Sequence, residues 1–281
     1  MSIKLENINY IYGKNGPFEK YALKNINLDI GENEFIGIIG HTGSGKSTLI
    51  QLFNGLLKPE TGVVFVDGED INKKGIKIKN IREKVGMVFQ YPEYQLFEET
   101  VYKDIKFGLD NFAHNEDKDL IIKQTAQMLG INDSILDISP FNLSGGQKRR
   151  VAIAGVLALN PKYLVLDEPA AGLDPYGRNM ILEELYKIHK EKKITVILVS
   201  HSMEDIAKYA QKIIVMNKGE IAMTGNPAEI FSRESELKDI GLDIPEISKI
   251  LNKLRNKGYN IPDDVFDIKT AAEILTGEHN A

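Results

Sequence analysis

Apolar residues recur along this chain with two spacings and one solid-block pattern, and each predicts a different element. In residues 1–39, "IKLENINYIY" partly alternates β-branched and aromatic positions with polar ones. "ALKNINLDIGENEFIGIIG" then passes through a Gly-Glu-Asn turn into an unbroken apolar run, Phe35 to Ile39. These patterns predict strands and hairpins. From Ser47 to Leu57 the spacing is helical, with Lys58-Pro59 as its stop. "TGVVFVDGEDI" predicts a short strand and turn, and "VGMVFQ" another strand. The basic stretch "KKGIKIKNIREK" (73–84) reads as a solvated loop leading into that second strand, rather than as a nucleic-acid patch.

Between about residues 92 and 160 the rhythm becomes helical in "TVYKDIKFGLDNF", "DKDLIIKQTAQMLGI" and "GGQKRRVAIAGVLALN", with breaks at Pro92 and Pro140. This segment reads as a mostly helical insert. "YLVLDE", "TVILVSH" and "KIIVMNKGEI" follow as solid apolar blocks, suited to strands buried on both faces. Helical stretches separate them, which predicts a largely parallel sheet in an α/β domain spanning 1–231. After about Phe231, Ile247, Ile250, Leu251 and Leu254 share one-face helical spacing, and a further short helix is expected near Ala271 to Leu275. Residues 232–281 thus read as a small helical extension.

Composition narrows the picture. The 281 residues are 42% hydrophobic and 27% charged, ordinary for a globular chain. A net charge of −5 gives no reason to expect nucleic acid as a partner. Without cysteine there is neither a disulfide framework nor a thiolate metal site, which fits a reducing cytosol. No signal-peptide pattern opens the chain, and no apolar run approaches the roughly 18–20 residues that span a bilayer. Any membrane role therefore falls to a partner.

"GHTGSGKST" follows a strand and precedes a helix, the setting a phosphate-binding loop requires. Gly40, His41, Thr42, Gly43, Ser44, Gly45, Lys46, Ser47 and Thr48 would wrap ATP phosphates, backbone amides and the helix start pointing at the anion. Lys46 would reach the β and γ phosphates, and Ser47 would ligate Mg²⁺. His41 reads as a variable loop residue. "YLVLDEP" ends an apolar strand in two carboxylates. Asp167 suits the metal, through its waters, and Glu168 suits a general base for the attacking water. In "LSGGQKRR", Ser144 is a candidate N-cap, and Gly145-Gly146 leave amides uncovered at a second helix start. One chain can hardly aim both helix starts at one nucleotide. Two chains packed head to tail can, with Ser144, Gly145, Gly146 and Gln147 of each facing the ATP of the other.

With these motifs, residues 1–231 resemble the ATP-binding-cassette ATPases, which implies a P-loop NTPase cassette with an antiparallel β N-terminal part and a helical insert. The resemblance implies three further roles. Gln90 would sense Mg²⁺ and water and couple to a membrane subunit, Asp174 in "AGLDP" would contact the partner cassette, and His201 would act as a γ-phosphate switch. Tyr12 is the first candidate for stacking on adenine, with Tyr10 and Tyr21 as alternatives. "VFQYPEYQLFEETVYKDIKFG" and "LDEPAAGLDPYGR" look like the second ATPase subunit of energy-coupling-factor importers, which bring vitamins and transition-metal ions into prokaryotes. That implies a peripheral protein on the cytoplasmic face of the membrane. Its expected partners are a second ATPase (a paralogue or another copy), a transmembrane coupling protein and small substrate-capture proteins, with no nucleic acid. Residues 232–281 would help hold the ATPase pair together. The general alternative is the ATPase of another importer or an exporter. A soluble cassette acting on DNA or ribosomes fits poorly, since only 96 positions separate Thr48 from Ser144 and the P-loop occurs once.

Overall fold

The computed structural model describes residues 2–112 and 117–276. In chain order the elements are strands β1 (Ile3–Tyr12), β2 (Lys20–Ile30) and β3 (Phe35–Gly40), helix α1 (Lys46–Phe53), strands β4 (Thr61–Val66) and β5 (Glu69–Asp70), helix α2 (Ile78–Lys84) and strand β6 (Val85–Val88). Helices α3 (Val101–Asn111), α4 (Lys118–Met128) and α5 (Gly145–Leu157) form the insert. Strand β7 (Tyr163–Asp167), helix α6 (Pro175–Lys192), strand β8 (Thr195–Val199), helix α7 (Met203–Tyr209) and strands β9 (Lys212–Asn217) and β10 (Glu220–Gly225) complete the sheet. Four helices close the chain: α8 (Pro227–Phe231), α9 (Glu234–Asp239), α10 (Glu246–Arg255) and α11 (Ile268–Thr276).

Two sheets result. One is antiparallel, in the order β2-β1-β4-β5. The other runs β10-β9-β3-β8-β7-β6, parallel except for the β9–β10 hairpin. Every residue of β3, β6, β7 and β8 is buried, the burial that the solid apolar blocks called for. The period-two pleat splits these strands between two cores. Tyr163 and Val165 pack with the antiparallel sheet and α1, while Leu164 and Leu166 pack with the insert, α6 and α7. Because β3, β6, β7 and β8 run in parallel, their carboxyl ends share one edge of the sheet. Open α/β sheets bind ligands outside that edge.

Three expectations need correcting. Helix α1 stops at Phe53 rather than Leu57, because Gly55 at φ 67° reverses the chain; the amides of Gly55 and Leu56 bond back to Leu52 and Gln51. The basic stretch before β6 contains helix α2 instead of being loop throughout, anchored by fully buried Ile81. In the C-terminal segment, Leu251 is buried and Ile247 and Leu254 pack with Ile261, Val265 and Ala271, but Ile250 is 53% exposed and leaves the shared face. The larger core also continues past residue 231 through Leu237, Leu242 and Ile244. Residues 277–281 of the expected extension lie outside the described residues.

Candidate nucleotide-hydrolysis site

Strand β3 delivers the P-loop and α1 carries it away. Gly40 (φ 157°) runs so close to β9 that a Cβ would stand 2.5 Å from the Met216 carbonyl. Gly45 takes the N-cap position at φ 107°, where a Cβ would meet the Ala22 carbonyl at 2.7 Å. Side chains are thus excluded where the loop packs inward. At Gly43 a Cβ would have nothing within 4 Å, so the loop's outer face is open. Lys46 donates to the carbonyls of Gly40 (2.7 Å) and His41 (3.2 Å), curling its ammonium back over the loop. Burial pushes that ammonium below its ordinary pKa, against the opposing pull of Glu168 and Asp167. Ser44 is fully buried, with its hydroxyl unpaired. The His41 ring turns away to the Asn217 side-chain oxygen, 3.1 Å off.

A cleft of about 360 Å³ lies over this loop. Thr42, Gly43, Gly45, Lys46, Ser47 and Thr48 floor it, and Tyr12, Gln90, Glu168 and His201 stand around it. The P-loop, Tyr12, Gln90, Glu168 and His201 come from five separate segments of chain. Asp167, at the end of β7, is buried, and the Ser47 hydroxyl is close enough to influence its carboxylate. Burial raises its pKa, Glu168 adds to the rise, and Ser47, Lys46 and His201 oppose it. Glu168 takes φ 51°, its amide bonded to the Val199 carbonyl. Its two carboxylate oxygens have different partners: the Gln90 amide donates to one at 3.1 Å, and His201 Nε2 lies 2.7 Å from the other. Tyr12 shares a hydrogen bond with Thr48 (3.2 Å), and Tyr10 packs edge-on against its ring. Tyr12 reaches the cleft wall; Tyr10 and Tyr21 do not line it.

The second helix start is built as expected but stands elsewhere. Ser144 caps α5 by accepting the Gln147 amide (3.3 Å), and the Gln147 side chain accepts the Ser144 amide (2.9 Å), a closed capping box. A Cβ at Gly145 or Gly146 would meet nothing within 4 Å. None of residues 144–147 lines the P-loop cleft. Asp174 caps α6 by accepting the Gly177 amide at 2.9 Å, and is exposed.

One residue with a structural stake in the site escaped sequence reasoning. Arg149, 2% exposed, forks onto Glu93 and donates to the Ala171 carbonyl. Its register was visible, since Arg149, Ile153 and Leu157 repeat every four residues on the buried face of α5. A charged side chain on that stripe implied a buried partner.

A phosphate loop, a paired carboxylate strand end and an uncovered second helix start, on a parallel sheet with a helical insert, define an ATP-binding-cassette ATPase. Comparison with known proteins agrees. The ABC transporter family matches residues 23–171. The energy-coupling factor transporter ATP-binding protein EcfA2 of Clostridium perfringens is 54% identical over 98% of this chain and 97% of its own length. Its counterpart in Listeria monocytogenes is 50% identical over 98% and 94%. Among solved structures, cbiO1 of Clostridium perfringens, part of the ABC transporter complex cbiONQ, superposes with a TM-score of 0.75 at 38% identity, covering 89% of this chain and 98% of that one. A dimeric ATP-binding cassette in a post-hydrolysis state with ADP and Pi gives 0.72 at 31% identity, covering 80% and 98%. This chain belongs to the family of energy-coupling factor transporter ATP-binding proteins, whose work is ATP hydrolysis coupled to transport.

Proposed function

We propose that the cleft above the P-loop hydrolyses ATP with Glu168 as the base, and that the resulting motion drives import of vitamins or transition-metal ions. The carrying observation is the convergence of Lys46, Glu168, Gln90 and His201 from four strand ends onto one cleft, with Asp167 buried next to Glu168 at the end of β7. The residues fit a magnesium nucleotide. The loop is open at Gly43, the Ser47 hydroxyl and the Asp167 carboxylate are neighbours, and Lys46 sits where anionic oxygens would replace its carbonyl partners. Among the described residues no group of three or more His, Cys, Asp or Glu could hold a metal. The cation would instead be shared between protein and phosphate, the usual habit of Mg²⁺.

When bound, Mg²⁺ would neutralise charge on the β and γ phosphates. Ser47 would hold it directly and Asp167 through water, and Gln90, which here donates to Glu168, would be a further neighbour of the ion. Lys46 offsets phosphate charge in a site where burial strengthens that interaction. Glu168 accepts the proton of the attacking water, and His201, released from Glu168, donates toward the γ-phosphate. Tyr12 stacks on adenine. Ser144, Gly145, Gly146 and Gln147 serve the nucleotide of a second cassette, which Asp174 contacts. The partners are that cassette, a transmembrane coupling protein and small substrate-capture proteins. Residues 232–281 support the ATPase pair, and the chain sits peripherally on the cytoplasmic face.

The test is to tag the chain in its native cell, purify it from detergent-solubilised membranes and identify what accompanies it. A second cassette ATPase, one coupling protein and several small membrane proteins are expected. A conventional permease pair with a binding protein, or recovery only with ribosomes or DNA, would overturn the importer reading.

A further inference from the structure

We infer that Arg149 is a positioning residue that locks three working segments of the site into one arrangement. It stands on α5, five residues after Ser144. Its Nε and one terminal nitrogen donate to the two oxygens of Glu93 at 3.1 and 2.7 Å, and the other terminal nitrogen donates to the Ala171 carbonyl at 2.7 Å. Glu93 lies in the short 3-10 turn Pro92–Gln95, three residues beyond Gln90. Ala171 lies three residues beyond Glu168, and its amide bonds back to the Glu168 carbonyl at 3.1 Å. Gln90 and Glu168 are themselves joined at 3.1 Å.

These links close a circuit from Gln90 along the chain to Glu93, across Arg149 to Ala171, back to Glu168 and across to Gln90. The guanidinium is the corner that ties the circuit to the signature helix. A planar fork with five donors can hold a carboxylate in two bonds and still reach a carbonyl; an ammonium offers one point charge. With Arg149 at 3% and Glu93 at 16% side-chain exposure the pair is largely shielded from solvent, so its geometry is held rather than averaged. A displacement of the Gln90 segment must therefore shift α5 and the Glu168 loop together. On that segment Tyr94 and Phe97 stand 85% and 58% exposed, free to receive a push from outside.

The inference rests on the roles assigned above to Glu168 and Gln90, and its failure is separable from theirs. The paired variant Arg149→Met with Glu93→Gln removes the bridge and both charges together, so no lone charge is left buried. It is assembled with its membrane partners in lipid nanodiscs, beside Arg149→Lys. Turnover should fall roughly tenfold to hundredfold, the scale of an ångström's misplacement of reacting groups. The KM for ATP and the affinity for a fluorescent ATP analogue should stay within about twofold, because Arg149 does not touch the P-loop cleft. Arg149→Lys, which keeps a charge on Glu93 but gives up the bond to Ala171, should fall between. Wild-type kcat in the paired variant would overturn the inference, as would equal losses in kcat and affinity. If the paired variant does not assemble, Arg149→Lys decides alone, and full activity there overturns it. Loss of the Glu168 assignment would show separately, as retained turnover in Glu168→Gln.

Discussion

Glu168 is held in a conformation its chemistry does not favour. A non-glycine residue at φ 51° costs on the order of 1–2 kcal/mol, repaid here by the amide bond to Val199 and by the clasp of Gln90 and His201 on the two carboxylate oxygens. Glu168→Gln keeps the shape of the side chain and can still bond to both neighbours, but it cannot accept a proton. ATP should therefore bind as before while turnover drops about 10²-fold or more. Steady-state ATPase of the assembled pair checks this, and near wild-type rates would remove Glu168 from the base role. Lys46→Ala acts differently, because Lys46 bonds to the loop's own carbonyls and lines the cleft proposed above to hold the phosphates. It should weaken ATP binding itself, measured by titration with nucleotide, and unchanged affinity would count against the P-loop assignment. These candidates were legible because each motif carries its residues in a fixed local order. The clasp on Glu168 was not, since Gln90, Glu168 and His201 are joined only by the register of β6, β7 and β8.

Among the elements, the contact of β3 with α7 shows what local pattern conceals. A Cβ at Gly37 would stand 2.7 Å from Ile206 Cγ2 and 3.3 Å from the Ala210 Cβ, so α7 lies directly on the strand backbone. Gly37→Val should overpack this layer and destabilise the chain by about 1–3 kcal/mol in urea unfolding. It should also lower kcat, because α7 begins two residues after His201. Undiminished stability would mean that the layer yields more easily than its spacing implies. The sequence made β3, β7, β8 and β9 plain, as apolar blocks too dense for a half-exposed sheet. It could not show that Gly37 is a packing residue, which depends on a helix 166 positions further on. Helix α2 was missed for a related reason: its periodicity amounts to one buried residue, Ile81, in a run of lysines, and only the core beneath decides its conformation. The overlong reading of α1 gave Lys58-Pro59 more weight than Asn54-Gly55, although the glycine is the stronger stop.

The whole molecule carries two glycine-marked helix starts, proposed above as phosphate sites, that do not face one cleft, and this asymmetry permits a test in which stability and activity part company. Gly146 is helical and a Cβ there meets nothing. In the isolated chain, Gly146→Ala should therefore be neutral or stabilising, by up to about 1 kcal/mol, since it removes glycine's excess chain entropy from a helix. Its own P-loop should bind ATP with unchanged affinity, because residue 146 does not line that cleft. In the assembled pair the added methyl would stand between the α5 amides and the other cassette's γ-phosphate. Turnover there should fall roughly tenfold or more, as expected when preorganised donors are held off a reacting group. Thermal melting, nucleotide titration and ATPase assays on one preparation separate the three quantities. A fall in the chain's own ATP affinity would mean that both helix starts serve one nucleotide after all. Full activity in the pair would mean that the second start serves none. Only the combination of an intact fold, intact binding and lost turnover is what two cassettes sharing their sites require.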